Sequence, residues 1–383
     1  MSQAVYITHA SAYLPNAAVS NQEMEQVLGQ VGGRASRARA IVLRSNGIQQ
    51  RHYVINPETG EITHSNAEIT AEAVRGLLHD GFSLDNIQVL ACGTSSPDQI
   101  APNHAVMVHG ELKNPPCEVM SASGICVAGV MSLKYGFMSV LAGLSENAVV
   151  TGSEAASTFM RAWNFEAENE ARVNSMEAKP VIAFEKDFLR WMLSDGAGAL
   201  LLQNRPNACG LSLKIEWIDQ FSYADQMQTC MYAGAEKNAD GSLTGWRELS
   251  SMQDVLNRSV LSLKQDVRLL DEGIRECTRR GFLDMQKRRH LSLADVDWLL
   301  PHYSSQFFRE PLMQAMPENL KVPYERWFSN LATKGNVGSA SIYLMIEELF
   351  GSGRLKAGEG ILCYVPESGR FSTAFIFLRV VEN

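Results

Sequence analysis

The feature that most constrains this chain is a repeat of itself. Set one above the other, "FSLDNIQVLACGTSS" (82–96) and "LSLADVDWLLPHYSS" (291–305) are identical at Ser83/Ser292, Leu84/Leu293, Leu90/Leu299, Ser95/Ser304 and Ser96/Ser305. Phe82/Leu291 and Ile87/Val296 keep their apolar character. Spacing extends the match. From Val89, 37 residues lead to Cys126 at a helix start, and 23 more reach Val149 in "NAVVTGSE". From Trp298, 38 residues lead to Asn336 before "VGSASIYLMIEELF", and 26 more reach Leu362 in "GILCYVPESG". Each half closes on a small-residue turn and an apolar run, "SDGAGALLLQ" and "ESGRFSTAFIFLRV". Each opens alike, with "AVYITHASAYL" and "LSLKIEWIDQF". Only two copies fit in 383 residues, so the period implies a doubled α/β unit and not a solenoid.

The halves divide at 1–205 and 206–383. Strand-sized apolar runs alternate with longer helical patterns, which predicts mixed sheets covered by helices. The helices after Cys126 and after Asn336 are apolar nearly all round and are expected to be buried. At matching places in a pseudo-twofold pair, they would lie side by side with their N-termini near one pocket. The charged, aromatic stretch 159–192 resembles a cap insertion, and 233–249 an exposed excursion.

Composition narrows the class. Apolar residues make up 45% and charged residues 20%, an ordinary globular balance. The formal charge of −8 argues against a nucleic-acid binder, whose affinity rests on basic surface. No apolar run is long enough to span a bilayer and no signal-like segment opens the chain, so a soluble, cytoplasmic protein is expected. The seven cysteines are scattered without a CxxC pair, which points to reduced thiols and no metal.

Three residues carry the chemistry. Cys126 follows the small residues of "SASG" at a helix N-terminus, where unpaired N–H groups favour a thiolate. A small core cysteine is the plain alternative. His302 ends the repeated strand where the first copy has Gly93, and a structural histidine is the ordinary reading. Asn336, the second-half counterpart of Cys126, also suits a helix N-cap. A thiol, an imidazole and a carboxamide brought together by one repeat suit acyl transfer through a thioester. No acidic partner lies at the spacing of a protease-like triad.

These segments resemble the thiolase superfamily of condensing enzymes, most closely β-ketoacyl-acyl carrier protein synthase III. The resemblance spans nearly the whole chain, through "ASAYLPNAAVSNQEME", "SNGIQQRHY", "ACGTSSPDQIAPNHA", the Cys126 segment, "GSEAAS", "SDGAGALLL", "DVDWLLPH" and "GNVGSAS". It implies a duplicated five-layered α-β-α-β-α fold, a homodimer, and ping-pong acyl transfer from coenzyme A or a carrier protein to Cys126. Carbon–carbon bond formation with a malonyl- or β-ketoacyl-thioester would follow, with His302 and Asn336 supporting it. The backbone N–H groups of Cys126 and Gly369 would hold the acyl oxyanion. No cofactor is implied beyond the acyl thioesters themselves.

Two local departures accompany the resemblance. The glycine expected two residues after the cysteine is delayed to Gly129, and Tyr303-Ser304-Ser305 replaces the family's Gln-Ala-Asn after the histidine. With the longer insertions, they point to a secondary-metabolite relative and away from housekeeping fatty-acid initiation. An acidic carrier would need a basic patch, for which Arg34, Arg37, Arg39 and Arg44, Lys287 to Arg289, and Arg309 are candidates. Two other readings fit the same residues: acyl transfer to an oxygen or nitrogen nucleophile, or a non-catalytic subunit of a heteromeric synthase.

Overall fold

The computed structural model describes residues 4–36, 39–175 and 188–383. Its main sheet contains β1 (Tyr6–Tyr13), β2 (Val89–Thr94), β3 (Glu118–Ser123), β4 (Asn147–Glu154) and β5 (Gly196–Gln203) from the first half. The second half supplies β6 (Leu211–Ser222), β7 (Trp298–Pro301), β8 (Gly360–Glu367) and β9 (Ser372–Glu382). Hydrogen bonds connect them in the order β7-β8-β9-β6-β1-β5-β4-β2-β3.

That order is one pattern used twice. In the first half β2 runs parallel to β4, β4 antiparallel to β5, and β5 antiparallel to β1. In the second, β7 runs parallel to β8, β8 antiparallel to β9, and β9 antiparallel to β6. Register repeats as well. Leu90 sits opposite Val149, and their repeat counterparts Leu299 and Leu362 sit opposite each other. Where the first half has β3, the second has only a parallel bridge from Leu299 to Trp327. The expected separate sheets are in fact joined, through the antiparallel pairs Tyr6–Lys214 and Ile7–Leu213 of β1 and β6.

Helices complete the layers. On one outer face lie α1 (Asn66–Arg75), started by a capping box of Ser65 and Glu68, and α2 (His104–Leu112). On the other lies α4 (Val267–Arg288), which buries Leu270, Ile274, Cys277, Phe282 and Met285 along one stripe. Between the half-sheets lie α3 (Ala128–Leu141) and α5 (Ser341–Gly351), giving the α-β-α-β-α arrangement of the thiolase-like fold. Both are apolar where sheet covers them, but α3 is not buried all round as expected: Met131, Met138 and Leu141 are exposed on one side. They touch closely: Tyr343 Oη donates to the Gly129 carbonyl at 2.7 Å. A Cβ on Gly129 would come within 2.2 Å of the Ser339 carbonyl oxygen, so glycine is required there.

The stretch 233–249 is largely a hairpin of Ala235–Lys237 with Leu243–Gly245. Within 159–192, a short helix Ser157–Met160 and a helix Glu166–Ser175 precede residues that lie outside the described ones. Among the described residues, no helix is long and apolar enough to cross a membrane, and no cluster of His, Cys, Asp and Glu could hold a metal ion.

Candidate active site

Cys126 lies in the turn between β3 and α3, half-buried. The backbone N–H groups on either side of it, of Ile125 and Val127, donate to Glu367 Oε2 at 3.1 and 2.9 Å. The helix end expected to favour a thiolate is therefore already occupied by a carboxylate. Burial pushes the Cys126 thiol well above its ordinary value, and the charges of Glu367 and then Glu154 push it further. At neutral pH the resting group is a thiol, and a base must take its proton.

His302 follows β7, with its backbone N–H on the Tyr364 carbonyl at 2.8 Å. Burial holds its imidazole down to about 4, so it is neutral near pH 7 and offers one donor and one acceptor nitrogen. Asn336 is fixed by its backbone: its N–H donates to the Met192 carbonyl at 3.2 Å, and its carbonyl accepts the Ser194 N–H at 2.9 Å. Its Oδ1 accepts the Gly338 N–H at 3.0 Å, which leaves Nδ2 as the donor end of the carboxamide.

The three residues line one narrow cavity, with room for little more than a water molecule in its enclosed part. Behind them its wall is apolar: Leu189, Met192, Met231, Leu270, Ile274, Phe308 and Leu312. A narrow, apolar-walled cavity suits an alkyl chain, and its polar end suits the thioester that carries it. Gly369 lies in the turn from β8 to β9, one residue beyond the cavity-lining Ser368. A Cβ there would stand 3.2 Å from Ile125 Cγ1, which places Gly369 against the Cys126 turn.

The basic candidates scatter. Arg34 and Arg44 are exposed, and Arg37 lies outside the described residues. Arg39 is engaged in the fold, its Nη1 2.8 Å from Glu25 Oε2. Arg309 stacks over Tyr324 at 4.2 Å. Lys287 is paired with Asp284, while Arg288 and Arg289 face Asp219, so that run is largely neutralised. Among the described residues, none of these side chains lines the cavity. The helix Arg39–Asn46 does approach it, since Ser305 Oγ donates to the Ser45 carbonyl at 3.4 Å.

Sequence reasoning missed Glu154, Gln265 and Glu367. Glu154 is fully buried and accepts from Ser95 Oγ at 2.6 Å, Ser96 Oγ at 2.7 Å and the Ser339 N–H at 3.1 Å. Both glutamates ended strands that the repeat had already aligned, which was a usable signal. Gln265 carried none, because it comes from an irregular connection.

Comparison with known proteins bears on the fold and on the family resemblance. Residues 286–377 match the family model for the C-terminal part of 3-oxoacyl-[acyl-carrier-protein] synthase III. A β-ketoacyl-[acyl-carrier-protein] synthase III from Bordetella petrii is 26% identical over 360 residues, covering 93% of this chain and 92% of its own. The structure of OleA from Xanthomonas campestris superposes with a TM-score of 0.75 at 17% identity, over 99% of each chain. That of 3-oxoacyl-(acyl carrier protein) synthase III from Pseudomonas aeruginosa gives 0.67 at 20%, over 98% of each. The fold is that of thiolase-like condensing enzymes, and over its length the chain resembles synthase III.

Proposed function

We propose that this chain is a synthase III-like condensing enzyme that carries its acyl intermediate on Cys126. The observation that carries the reading is the single apolar cavity onto which Cys126 of one half and His302 and Asn336 of the other all open. In the first step Cys126 Sγ attacks the carbonyl of an acyl thioester. Its proton passes to neutral His302, the carbon–sulfur bond of the donor breaks, and the leaving thiolate recovers the proton. N–H groups of Cys126 and Gly369 hold the oxyanion between these events.

In the second step a malonyl-type thioester enters and loses CO2. The enolate oxygen is held by His302 and by Asn336 Nδ2, each such donor contributing roughly 3–4 kcal/mol when preorganised. The enolate carbon attacks the acyl carbonyl, and the Cys126 thiolate departs and takes a proton from solvent. A β-ketoacyl thioester acting as nucleophile would use the same two donors, with neutral His302 taking its C2 proton and passing it to the departing Cys126 thiolate. The donors are thioesters of coenzyme A or of a carrier protein, met by exposed Arg34 and Arg44. The departures after Cys126 and His302 favour a secondary-metabolite pathway.

A homodimer in the cytoplasm completes the reading. The sheet ends at β3, and α3 exposes Met131, Met138 and Leu141 nearby, an apolar edge suited to a second copy.

The test is intact-protein mass spectrometry after incubation with acyl-coenzyme A, followed by malonyl-thioester. An acyl mass on Cys126, absent in Cys126→Ala, and its release as a longer β-keto thioester with CO2 are expected. Release of an ester or amide would instead support transfer to oxygen or nitrogen. No adduct at all would reduce the chain to a non-catalytic subunit.

A further inference from the structure

One polar side chain interrupts the apolar wall of the Cys126 cavity. Gln265 lines that cavity and is 2% exposed. Its Nε2 donates to Ser368 Oγ at 3.0 Å, while its Oε1 is buried without any donor. A buried carboxamide oxygen left unpaired opposes folding, and such atoms are normally satisfied by protein, by ordered water or by a bound ligand.

The surroundings hold Gln265 in place. It pairs with Met231 in a short antiparallel ribbon, and the Met231 N–H donates to the Ser368 carbonyl at 3.0 Å. The following residue, Asp266, donates its N–H to the Cys230 carbonyl at 2.7 Å. The backbone beneath Gln265 is therefore fixed, and its side chain is held by burial and by the bond to Ser368.

Resting on the function proposed above, we infer that Gln265 Oε1 accepts a hydrogen bond from a hydroxyl on the acyl group delivered to Cys126, so that the enzyme selects 3-hydroxyacyl thioesters. Position argues for the third carbon. The Gln265 amide is one hydrogen bond from Ser368, whose neighbour Gly369 is assigned to the acyl oxyanion, and adjacent Cα atoms are about 3.8 Å apart. A hydroxyl near the thioester falls within that reach, and one at the far end of the chain does not. Leu270 and Ile274, one turn apart on α4, then take the methylenes beyond. An unsubstituted chain leaves Oε1 stranded, and a 3-keto group offers it no proton.

The experiment compares 3-hydroxydecanoyl-, 3-oxodecanoyl- and decanoyl-coenzyme A as donors. The second-order rate of Cys126 acylation is read by intact-protein mass spectrometry, in wild type and in Gln265→Leu. In wild type the hydroxyacyl donor is expected to react at least about tenfold faster than either of the others, a modest share of what a paired hydroxyl can discriminate. In Gln265→Leu that ratio is expected to fall to about one. Equal rates in wild type overturn the inference, as does an undiminished preference in the variant. Because the variant could misfold, thermal-shift binding of free 3-hydroxydecanoate and decanoate to wild type supplies a second readout. Stronger stabilisation by the hydroxy acid supports the inference, and equal stabilisation overturns it. Acylation by none of the donors overturns the proposed function itself, and this inference with it.

Discussion

Glu154 and Glu367 stand at the same place in the two halves, and each reaches across to the other half's central helix. Each is the last residue of its strand, five beyond the aligned pair Val149 and Leu362. Glu367 accepts N–H groups from Ile125 and Val127 ahead of α3, and Glu154 accepts the N–H of Ser339 ahead of α5. Burial raises both carboxyl groups above their ordinary range. The Cys126 turn is therefore held by a carboxylate that also opposes ionisation of the thiol. Glu367→Gln keeps an acceptor oxygen for those N–H groups and removes the charge. Alkylation of Cys126 by iodoacetamide at pH 7 is expected to quicken by about three- to tenfold, since one unit of pKa is tenfold in thiolate. Glu367→Ala strands both N–H groups and is expected to cost about 1–3 kcal/mol in chemical denaturation. An unchanged alkylation rate in Glu367→Gln would show that the charge does not reach the sulfur.

In the proposed reaction, His302 and Asn336 divide the work between the two steps. Asn336→Ala removes an enolate donor without touching the thiol, so Cys126 should still take up an acyl group. Decarboxylative condensation should fall by about 10²–10³. His302→Ala should slow both steps, because the thiol also loses its base. Single-turnover acylation and steady-state CO2 release, measured side by side, separate these outcomes.

Much of this arrangement could be read before any coordinates. The pairing of Leu90 with Val149 and of Leu299 with Leu362 follows the alignment of the two copies, because duplicated strands inherit one register. Cys126, His302 and Asn336 meet for the same reason. What stayed hidden is what the copies no longer share. Ser95 and Ser96 bind Glu154 in the first half. Their identical counterparts diverge: Ser304 lines the cavity, and Ser305 caps the turn at Gln306–Phe308. Identity of residues did not predict identity of partners. The cavity wall was illegible for another reason, since Leu189, Met231 and Leu312 come from three unrelated connections that only tertiary packing assembles.

Acidity tests the burial of the site. His302 has a folded value of about 4, below the ordinary 6.5, so the unfolded chain binds a proton first as pH falls. The stability this group contributes is whole above pH 6.5 and declines until about pH 4, by up to about 3 kcal/mol. Asp195 acts in the opposite sense. Burial raises it to about 7 from 3.8, so its contribution is whole at low pH and is lost as pH rises through that window. These two slopes oppose each other, so the His302 contribution is isolated by comparing wild type with a variant that lacks it. His302→Gln removes one of them, so its stability relative to wild type should improve as pH falls from 6.5 to 4 in urea titrations. A relative stability independent of pH would mean the imidazole is protonated in the folded site.

Chain-length selection should reside on α4. Ile274 and Leu270 face the cavity from adjacent turns, and an indole in place of either fills space that methylenes would use. Ile274→Trp is expected to move the preferred donor toward shorter acyl groups, with about 1–3 kcal/mol lost to overpacking. Acylation rates across saturated acyl-coenzyme A donors measure the shift, and an unmoved optimum would place the chain elsewhere.

Donor docking should depend on charges that the fold itself does not use. Arg34 and Arg44 are exposed, and the helix bearing Arg44 packs beside Ser305 and Gln306 near the cavity. Reversing both, as Arg34→Glu with Arg44→Glu, should slow acylation from an acidic carrier protein by about tenfold at low salt, through lost steering. Raising the ionic strength should erase most of that difference, because exposed charges are screened within about 10 Å at 0.1 M salt. Arg39→Ala should behave otherwise. Its guanidinium is already committed to Glu25, so its loss should lower the melting temperature and leave the salt dependence of acylation as it was. If the double reversal leaves carrier-dependent acylation untouched at every salt concentration, this face is not where the carrier docks.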